Sequence, residues 1–181
     1  MSPNSLSKVL RIFCAVAFLF FGVAVQRTLA SDHVFTGTIT KVDTGAKTVA
    51  VKAKDGTIHT VKWTDDTTVT GLKGGAHGAD LAGKEGGHVI VHTTGEGADE
   101  TARSFDYVGH RTVHVADVTV DDVGEGSKSV AVHTADGTKD TLHVGDHATV
   151  DTGKGIEKGG HYTVYYTEDA GKKVAHFFGR L

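Results

Sequence analysis

The sequence predicts an all-β protein made of two tandem copies of a small five-stranded unit, preceded by an N-terminal signal peptide. Three observations support this prediction. The first residues have the layout of an export signal. The remainder divides into two segments that match each other block by block. In both segments, apolar and polar residues alternate as they do in half-buried β-strands.

The first 30 residues have the three parts of a secretory signal peptide. Lys8 and Arg11 form a basic start, an apolar run extends over 12–25, and Ala30 is a small residue at a cleavage point. The run is shorter than the roughly 20 residues of a membrane-spanning helix. We therefore expect a periplasmic or secreted protein. An uncleaved N-terminal anchor is the alternative, and it would be the sole membrane attachment.

The composition of the expected mature chain excludes several classes of function. Residues 1–30 hold three of the 19 basic residues and none of the 22 acidic ones, which leaves 16 against 22 and a formal charge of −6. This acidic balance argues against nucleic-acid binding, which needs a basic surface. The single Cys also lies in the signal, so thiol catalysis and thiolate metal sites are excluded. We expect the partner to be a small ligand or an envelope protein.

Four blocks of the chain recur in the same order. Segment 48–57 returns at 129–138, an offset of 81, and the same offset maps Thr67-Thr68-Val69 onto Ala148-Thr149-Val150. Segments 86–91 and 101–105 return with an offset of 73. The first copy therefore carries an eight-residue insertion within its Gly-rich stretch. We assign 31–109 to the first repeat and 110–181 to the second.

Each copy is predicted to contain five strands rich in Val, Thr, Ile, Tyr and Phe. The predicted strands are 35–42, 47–53, 57–63, 88–94 and 101–108 in the first copy, and 112–120, 128–134, 138–144, 161–167 and 173–178 in the second. Asp55-Gly56 and Asp136-Gly137 favour a tight turn between strands two and three. The only room for a helical turn lies between strands three and four, around 79–84. Five strands with this single irregular connection are typical of a small OB-like β-barrel.

The first copy resembles an uncharacterised family of exported bacterial β-domains. The resemblance covers nearly all of that copy and rests on Gly37 with Ile39, Val42 and Asp43, on Asp55-Gly56, on Asp66-Thr67, on the strand 87–91 and on Ala102. In the second copy, Ala116 replaces the first Gly and His147-Ala148 replaces Asp-Thr. The resemblance implies an exported OB-like barrel and no settled activity, since these are turn and core positions.

Histidine is the one unusual feature, with 12 in the chain, all after residue 30. Imidazole is the commonest metal ligand, and three pairs are spaced four apart: His88/His92, His110/His114 and His143/His147. On a strand that spacing separates the Cα atoms by about 13 Å, too far for one zinc ion. The second member of the third pair follows Gly145 and Asp146, which could turn the chain and bring the rings together.

Three interpretations of the histidines remain open. They are solvated residues on outer strand faces, a pH-responsive surface, or ligands for zinc, copper or nickel together with carboxylates. For a metal site the candidates are His143, Asp146 and His147, joined by His88 and His161, the only histidines shared by the two copies.

No catalytic residue or organic cofactor site is predicted. None of the serines after residue 30 lies in a Gly-x-Ser-x-Gly motif. The segment 78–84 fits a phosphate-binding loop except that Glu85 stands where Ser or Thr should bind magnesium. Tyr165 is opposite in phase to Tyr162 and Tyr166, so we expect it to be exposed. The leading hypothesis is a non-enzymatic binding or interaction module of the cell envelope, and the alternative is a histidine-based metal-binding or buffering protein.

Overall fold

The structure, a computed structural model, describes residues 32–73, 76–95, 100–151 and 155–181. The expected signal peptide, 1–30, lies outside these ranges. Within them the protein is built almost wholly of β-strands, and no helix is long and apolar enough to cross a membrane. The predicted fold class, two small OB-like barrels in tandem, is confirmed.

The first barrel is formed by five strands, with a two-stranded addition at one side. Their bounds are β1 Asp32–Asp43, β2 Thr48–Ala53, β3 Ile58–Lys62, β4 Thr68–Thr70, β5 Ala76–His77, β6 His88–Thr94 and β7 Thr101–Gly109. The sheet runs β3-β2-β1-β6-β7 and closes where β3 pairs in parallel with β7, at Lys62 and Thr101. The predicted helical turn is a short 3-10 helix over Gly78–Leu81.

The second barrel has the same strand order. Its strands are β8 Val113–Val123, β9 Ser129–His133, β10 Lys139–Val150, β11 His161–Asp169 and β12 Lys172–Arg180. They form a closed barrel in the order β10-β12-β11-β8-β9, with β10 and β12 parallel. Here β10 continues through the positions that separate β3 from β4 in the first barrel.

Equivalent hydrogen bonds relate the two barrels at the offsets found in the sequence. The Ile39 amide donates to the Gly87 carbonyl, and the Val120 amide donates to the Gly160 carbonyl. These bonds make Val118, and not Ala116, the equivalent of Gly37 in the second barrel, so the sequence alignment of Ala116 with the first Gly is wrong by two residues. The alternation of β8 explains the error, because a shift of two keeps the same residues facing the core.

Each barrel encloses its own apolar core, with inward-facing residues supplied by every other position of a strand. The first core is centred on Ile39, Val49, Val51, Val61 and Phe105, and the second on Val120, Val130, Val132, Tyr162 and Phe178. Trp63 belongs to the first core and has no counterpart in the second. It packs against Gly78 of the 3-10 helix, where a Cβ on the glycine would lie 2.4 Å from the indole ring. The Gly-rich insertion therefore covers this indole and does not form a nucleotide loop between a strand and a long helix.

The barrels are joined by a mostly buried carboxylate–imidazole contact that is supported from both sides. Asp106 of β7 lies 3.1 Å from Nδ1 of His176 on β12, and both side chains are 13% exposed. Thr70 donates to the other Asp106 oxygen at 3.0 Å, and Thr167 lies 2.9 Å from Nε2 of His176. The four side chains form one hydrogen-bonded chain across the interface.

Aromatic side chains pack beside this contact. The imidazole of His92 on β6 contacts the ring of Phe177 edge-on, with the two ring centroids 4.5 Å apart. Tyr165 lies 5.7 Å from Phe177 and donates from its hydroxyl to the Val34 carbonyl in the other barrel, at 3.2 Å. Tyr165 does point away from its own core, but the expectation that it is exposed is wrong, because the first barrel covers part of it and leaves it half-buried. Burial raises its pKa.

We expect Gly37→Ala to destabilise the protein by about 1–3 kcal/mol, the usual cost of forcing atoms into a filled site. A Cβ at Gly37 would lie 2.4 Å from the Lys52 carbonyl oxygen, so β1 and β2 would have to separate. Gly45→Ala is the matched control, since its Cβ would meet no atom closer than 3.6 Å. Urea unfolding of the two variants makes the comparison, and equal stabilities would contradict this account of Gly37.

We also expect His92 to make stability depend on pH. Burial lowers its pKa below 6.5, against the smaller opposing effects of Asp106, Asp151 and Asp32. As pH falls below about 6.5, the unfolded chain binds a proton before the folded chain does. The free energy of unfolding therefore falls with pH until the lowered pKa is reached.

The substitution His92→Gln removes this contribution. The free energy of unfolding of the wild type minus that of the variant should therefore decrease as the pH is lowered from about 7.5 to about 5. Thr141→Gln, which removes no titratable group from an exposed site on β10, is the control and should give a difference that stays constant. Urea unfolding at several pH values measures both. A His92→Gln difference that is constant with pH would show that this histidine is not held neutral in the interface.

Candidate functional site

The two histidines shared by the repeats have the same local role. His88 begins β6 and pairs with Thr38 of β1, whose hydroxyl lies 3.4 Å from its Nδ1. His161 begins β11 and pairs with Thr119 of β8, at 3.0 Å. Each imidazole thus contacts a threonine across neighbouring strands just after the Gly-Gly turn. The shared position is a cross-strand contact repeated once in each barrel.

The other predicted metal ligands lie together on β10. His143, Asp146 and His147 are all exposed. The pairing of β10 with β12 is interrupted between Val144 and Thr149, so that 145–148 oppose a single residue. The turn expected at Gly145 and Asp146 therefore takes the form of a bulge inside a strand. In the part of the chain that the structure describes, no three His, Asp or Glu side chains are arranged to hold a metal ion.

Three other histidines contact carboxylates that are distant in sequence. The pairs are His59 with Glu100 at 3.5 Å, His133 with Asp121 at 2.8 Å and His176 with Asp106 at 3.1 Å. Histidine spacing along the chain could not reveal these contacts, since strand pairing and barrel packing bring the partners together. Each imidazole has one acidic neighbour, which suits a structural ion pair better than a metal site.

A groove between the barrels has a volume of about 610 Å³. The first barrel contributes β1, the end of β2 and His88, and the second contributes the start of β8 and Tyr166 of β11. Its lining residues are Thr36, Gly37, Thr38, Lys52, Ala53, Lys54, His88, Thr112, Val113, His114, Val115 and Tyr166. We call this the inter-barrel groove. Its volume falls within the range of small-molecule sites.

Polar and apolar groups line different parts of the inter-barrel groove. Lys52, Lys54 and His88 lie on the first barrel, while Val113 and Val115 lie on the second. Val115 is 48% exposed, one of few large apolar side chains left exposed among the described residues. An apolar wall beside a small number of polar groups is typical of ligand-binding cavities.

Tyr166 occupies a fixed place at one end of the groove. Its ring stacks on His114, the residue opposite it on β8, with centroids 5.2 Å apart and planes inclined by 22°. The Lys173 ammonium lies 5.6 Å from the ring centroid, an attractive cation–π arrangement. Lys173 is held by Asp140, which raises its pKa. Tyr166 is thus supported on two sides without needing a ligand.

The other cavities fit a ligand less well. One of about 390 Å³ lies on the first barrel beside His33, Ile58, His59 and Glu100. Another of about 260 Å³ lies between the barrels near His92, and is lined by charges of both signs. In the cavity of about 390 Å³, the Glu100 carboxylate contacts His59 and accepts a hydrogen bond from the Thr93 hydroxyl. The Glu100 carboxylate therefore already has protein partners, whereas Lys52 and Lys54 of the larger groove have none among the described residues.

Most residues of the groove were missed by the sequence analysis. His88 was a candidate as a metal ligand, and His114 belonged to a pair with the right spacing, but Lys52, Lys54 and Tyr166 carried no signal. Lys52 and Lys54 belong to the recurring segment 48–57, whose match at 129–138 has His133 and Ala135 in their places. That difference between the copies was the one available clue.

Comparison with known proteins assigns no family. No protein-family model and no curated protein matches the chain. Among solved structures, the silver(I)-bound protein CusF aligns with 42% of this chain and 97% of its own, at 12% identity and a TM-score of 0.33. The aligned length corresponds to about one barrel, and this similarity is too low to carry a conclusion about function.

Proposed function

We propose that the protein is an exported, non-enzymatic binding module whose ligand occupies the inter-barrel groove. The observation that carries the proposal is the groove itself: a cavity of about 610 Å³ to which both barrels contribute and in which a basic wall faces an apolar one. The Asp106–His176 contact and the His92–Phe177 contact join the two barrels that supply these walls. Such a preformed site lowers the entropy lost on binding.

The chemistry of the lining favours binding over catalysis. Among the described residues it contains no Asp, Glu, Ser or Cys, and its two histidines already contact protein side chains, His88 with Thr38 and His114 with Tyr166. Thr36 already donates its hydroxyl to the Val89 carbonyl at 3.0 Å. Export to the periplasm or medium rests on the character of residues 1–30, and it would give the groove access to small extracellular solutes.

Blocking the groove should abolish binding without unfolding the protein. We expect Val115→Trp to fill the cavity while changing stability by less than about 0.5 kcal/mol, because Val115 is half exposed. The control is Ile58→Trp, since Ile58 is 60% exposed and lies in a separate cavity. The probes are indole, benzoate, benzamidine and glucose, each titrated while amide chemical shifts are recorded by NMR.

The proposal predicts that at least one probe shifts amides of Gly37, Ala53 and Val113 in the wild type and in Ile58→Trp, but not in Val115→Trp. Shifts centred elsewhere, or shifts that survive Val115→Trp, would contradict it.

A second candidate function is the binding of zinc, copper or nickel at the β10 bulge. The observation that favours it is the exposure of His143, Asp146 and His147 on a segment whose pairing with β12 is broken. A bulged backbone can adjust more readily than a paired strand. The imidazoles of His143 and His147 could reach one ion only if the backbone of the bulge changed its conformation.

Calorimetric titration tests this candidate. Metal binding through the bulge should be tighter than about 100 μM, and His143→Ala with His147→Ala should weaken it by about tenfold or more. His110→Ala, which removes a histidine outside the bulge, should leave the affinity unchanged. Weaker binding of all three metals, or equal affinities in the two variants, would rule out the bulge as their site.

A further inference from the structure

The inter-barrel groove collects positive charge in a chain whose formal charge is −3. Lys52 and Lys54 line it on one side, and His88 and His114 add two imidazoles. No acidic residue lines it among those the structure describes. In a chain with more acidic than basic residues, a cavity with this lining favours a negatively charged occupant.

The two lysines differ from many basic residues of the protein in having no partner. Lys47 lies 2.7 Å from Asp65, Arg103 lies 2.9 Å from Asp32, and Lys173 contacts Asp140. Within the described ranges, neither Lys52 nor Lys54 has an ion pair or a side-chain hydrogen bond. A ligand carboxylate would thus meet two ammonium groups whose charge is not already neutralised.

The opposite wall sets a second requirement. It is formed by Val113, Val115 and the edge of the stacked pair His114–Tyr166. These groups offer apolar and aromatic surface against which a flat ring can pack. A bare inorganic anion would leave this wall in water. An occupant that satisfies both walls carries an anionic group at one end and a flat apolar body at the other.

We propose that the inter-barrel groove binds a small aromatic carboxylate. The inference rests on the proposed function and specifies its ligand class. The carboxylate lies between Lys52 and Lys54, within reach of His88, and the ring lies against Val115 and the His114–Tyr166 stack. Fixed positive charges give such a ligand its charge selectivity, and the apolar wall supplies the burial that holds it.

Four matched probes test the charge and the ring separately. Indole-3-acetate carries both features, indole-3-acetamide has the same shape without the charge, tryptamine has the opposite charge, and acetate lacks the ring. NMR titration of the purified protein should rank indole-3-acetate first, about tenfold tighter than its amide, as expected for one charge near two unpaired ammonium groups. Raising the salt from about 50 to about 500 mM should narrow that difference.

Variants of the two lysines locate the effect. Lys52→Gln and Lys54→Gln should each weaken indole-3-acetate binding about three- to tenfold and leave the affinity for the amide unchanged. Lys172→Gln, at the exposed first residue of β12, is the matched control and should bind as the wild type does.

The outcomes separate this inference from the proposed function. If indole-3-acetate and indole-3-acetamide bind the groove equally well, the inference of an anionic ligand is overturned, while the groove remains a ligand site. Equal binding of acetate and indole-3-acetate would overturn the requirement for a ring. Absence of groove shifts with all four probes would overturn the ligand class, whereas the groove as a site is judged by the wider probe set and Val115→Trp.

Discussion

The contact between Asp106 and His176 is the constraint on which the arrangement of this protein depends. Each barrel encloses its own core, so neither needs the other to bury its apolar residues. What joins one barrel to the other is this mostly buried contact, satisfied on both sides by Thr70 and Thr167, together with the ring of Phe177 next to His176 in β12. Removing one partner would leave a polar group in a mostly buried place without its hydrogen bond, which is unfavourable. The inter-barrel groove is lined by residues of the two barrels that this contact joins.

The two copies share the positions that make a barrel and differ in those that make a site. The Asp-Gly turns are equivalent down to the hydrogen bonds: the Thr57 amide donates to Asp55, and the Thr138 amide donates to Asp136. His88 and His161 likewise repeat one cross-strand contact. In contrast, Lys52, Lys54 and Tyr166 belong to one copy each. The groove is therefore asymmetric, with a basic wall from the first barrel and an apolar one from the second.

Much of the histidine content has a structural explanation. Imidazoles face carboxylates at three places, pack against aromatic rings at others and bond to threonines at the start of two strands. Within the described residues, no buried side-chain nitrogen or oxygen lacks a hydrogen-bond partner. A residue that can donate, accept and stack suits a protein whose expected mature part has no disulfides to stabilise it.

The sequence by itself determined the strands, the turns and the presence of two related barrels. Alternation marks strands because side-chain direction has a period of two, and Asp-Gly marks turns because glycine adopts positive φ readily, as Gly56 and Gly137 do. Alternation could not fix register to better than two residues, hence the misalignment of Ala116. Only the tertiary structure decided that Tyr165 is partly covered, that His176 meets Asp106 and that Lys52 faces Val115 across a groove. Those contacts join residues about 60 to 130 positions apart, and no local pattern in the chain records which surfaces of two closed barrels will meet.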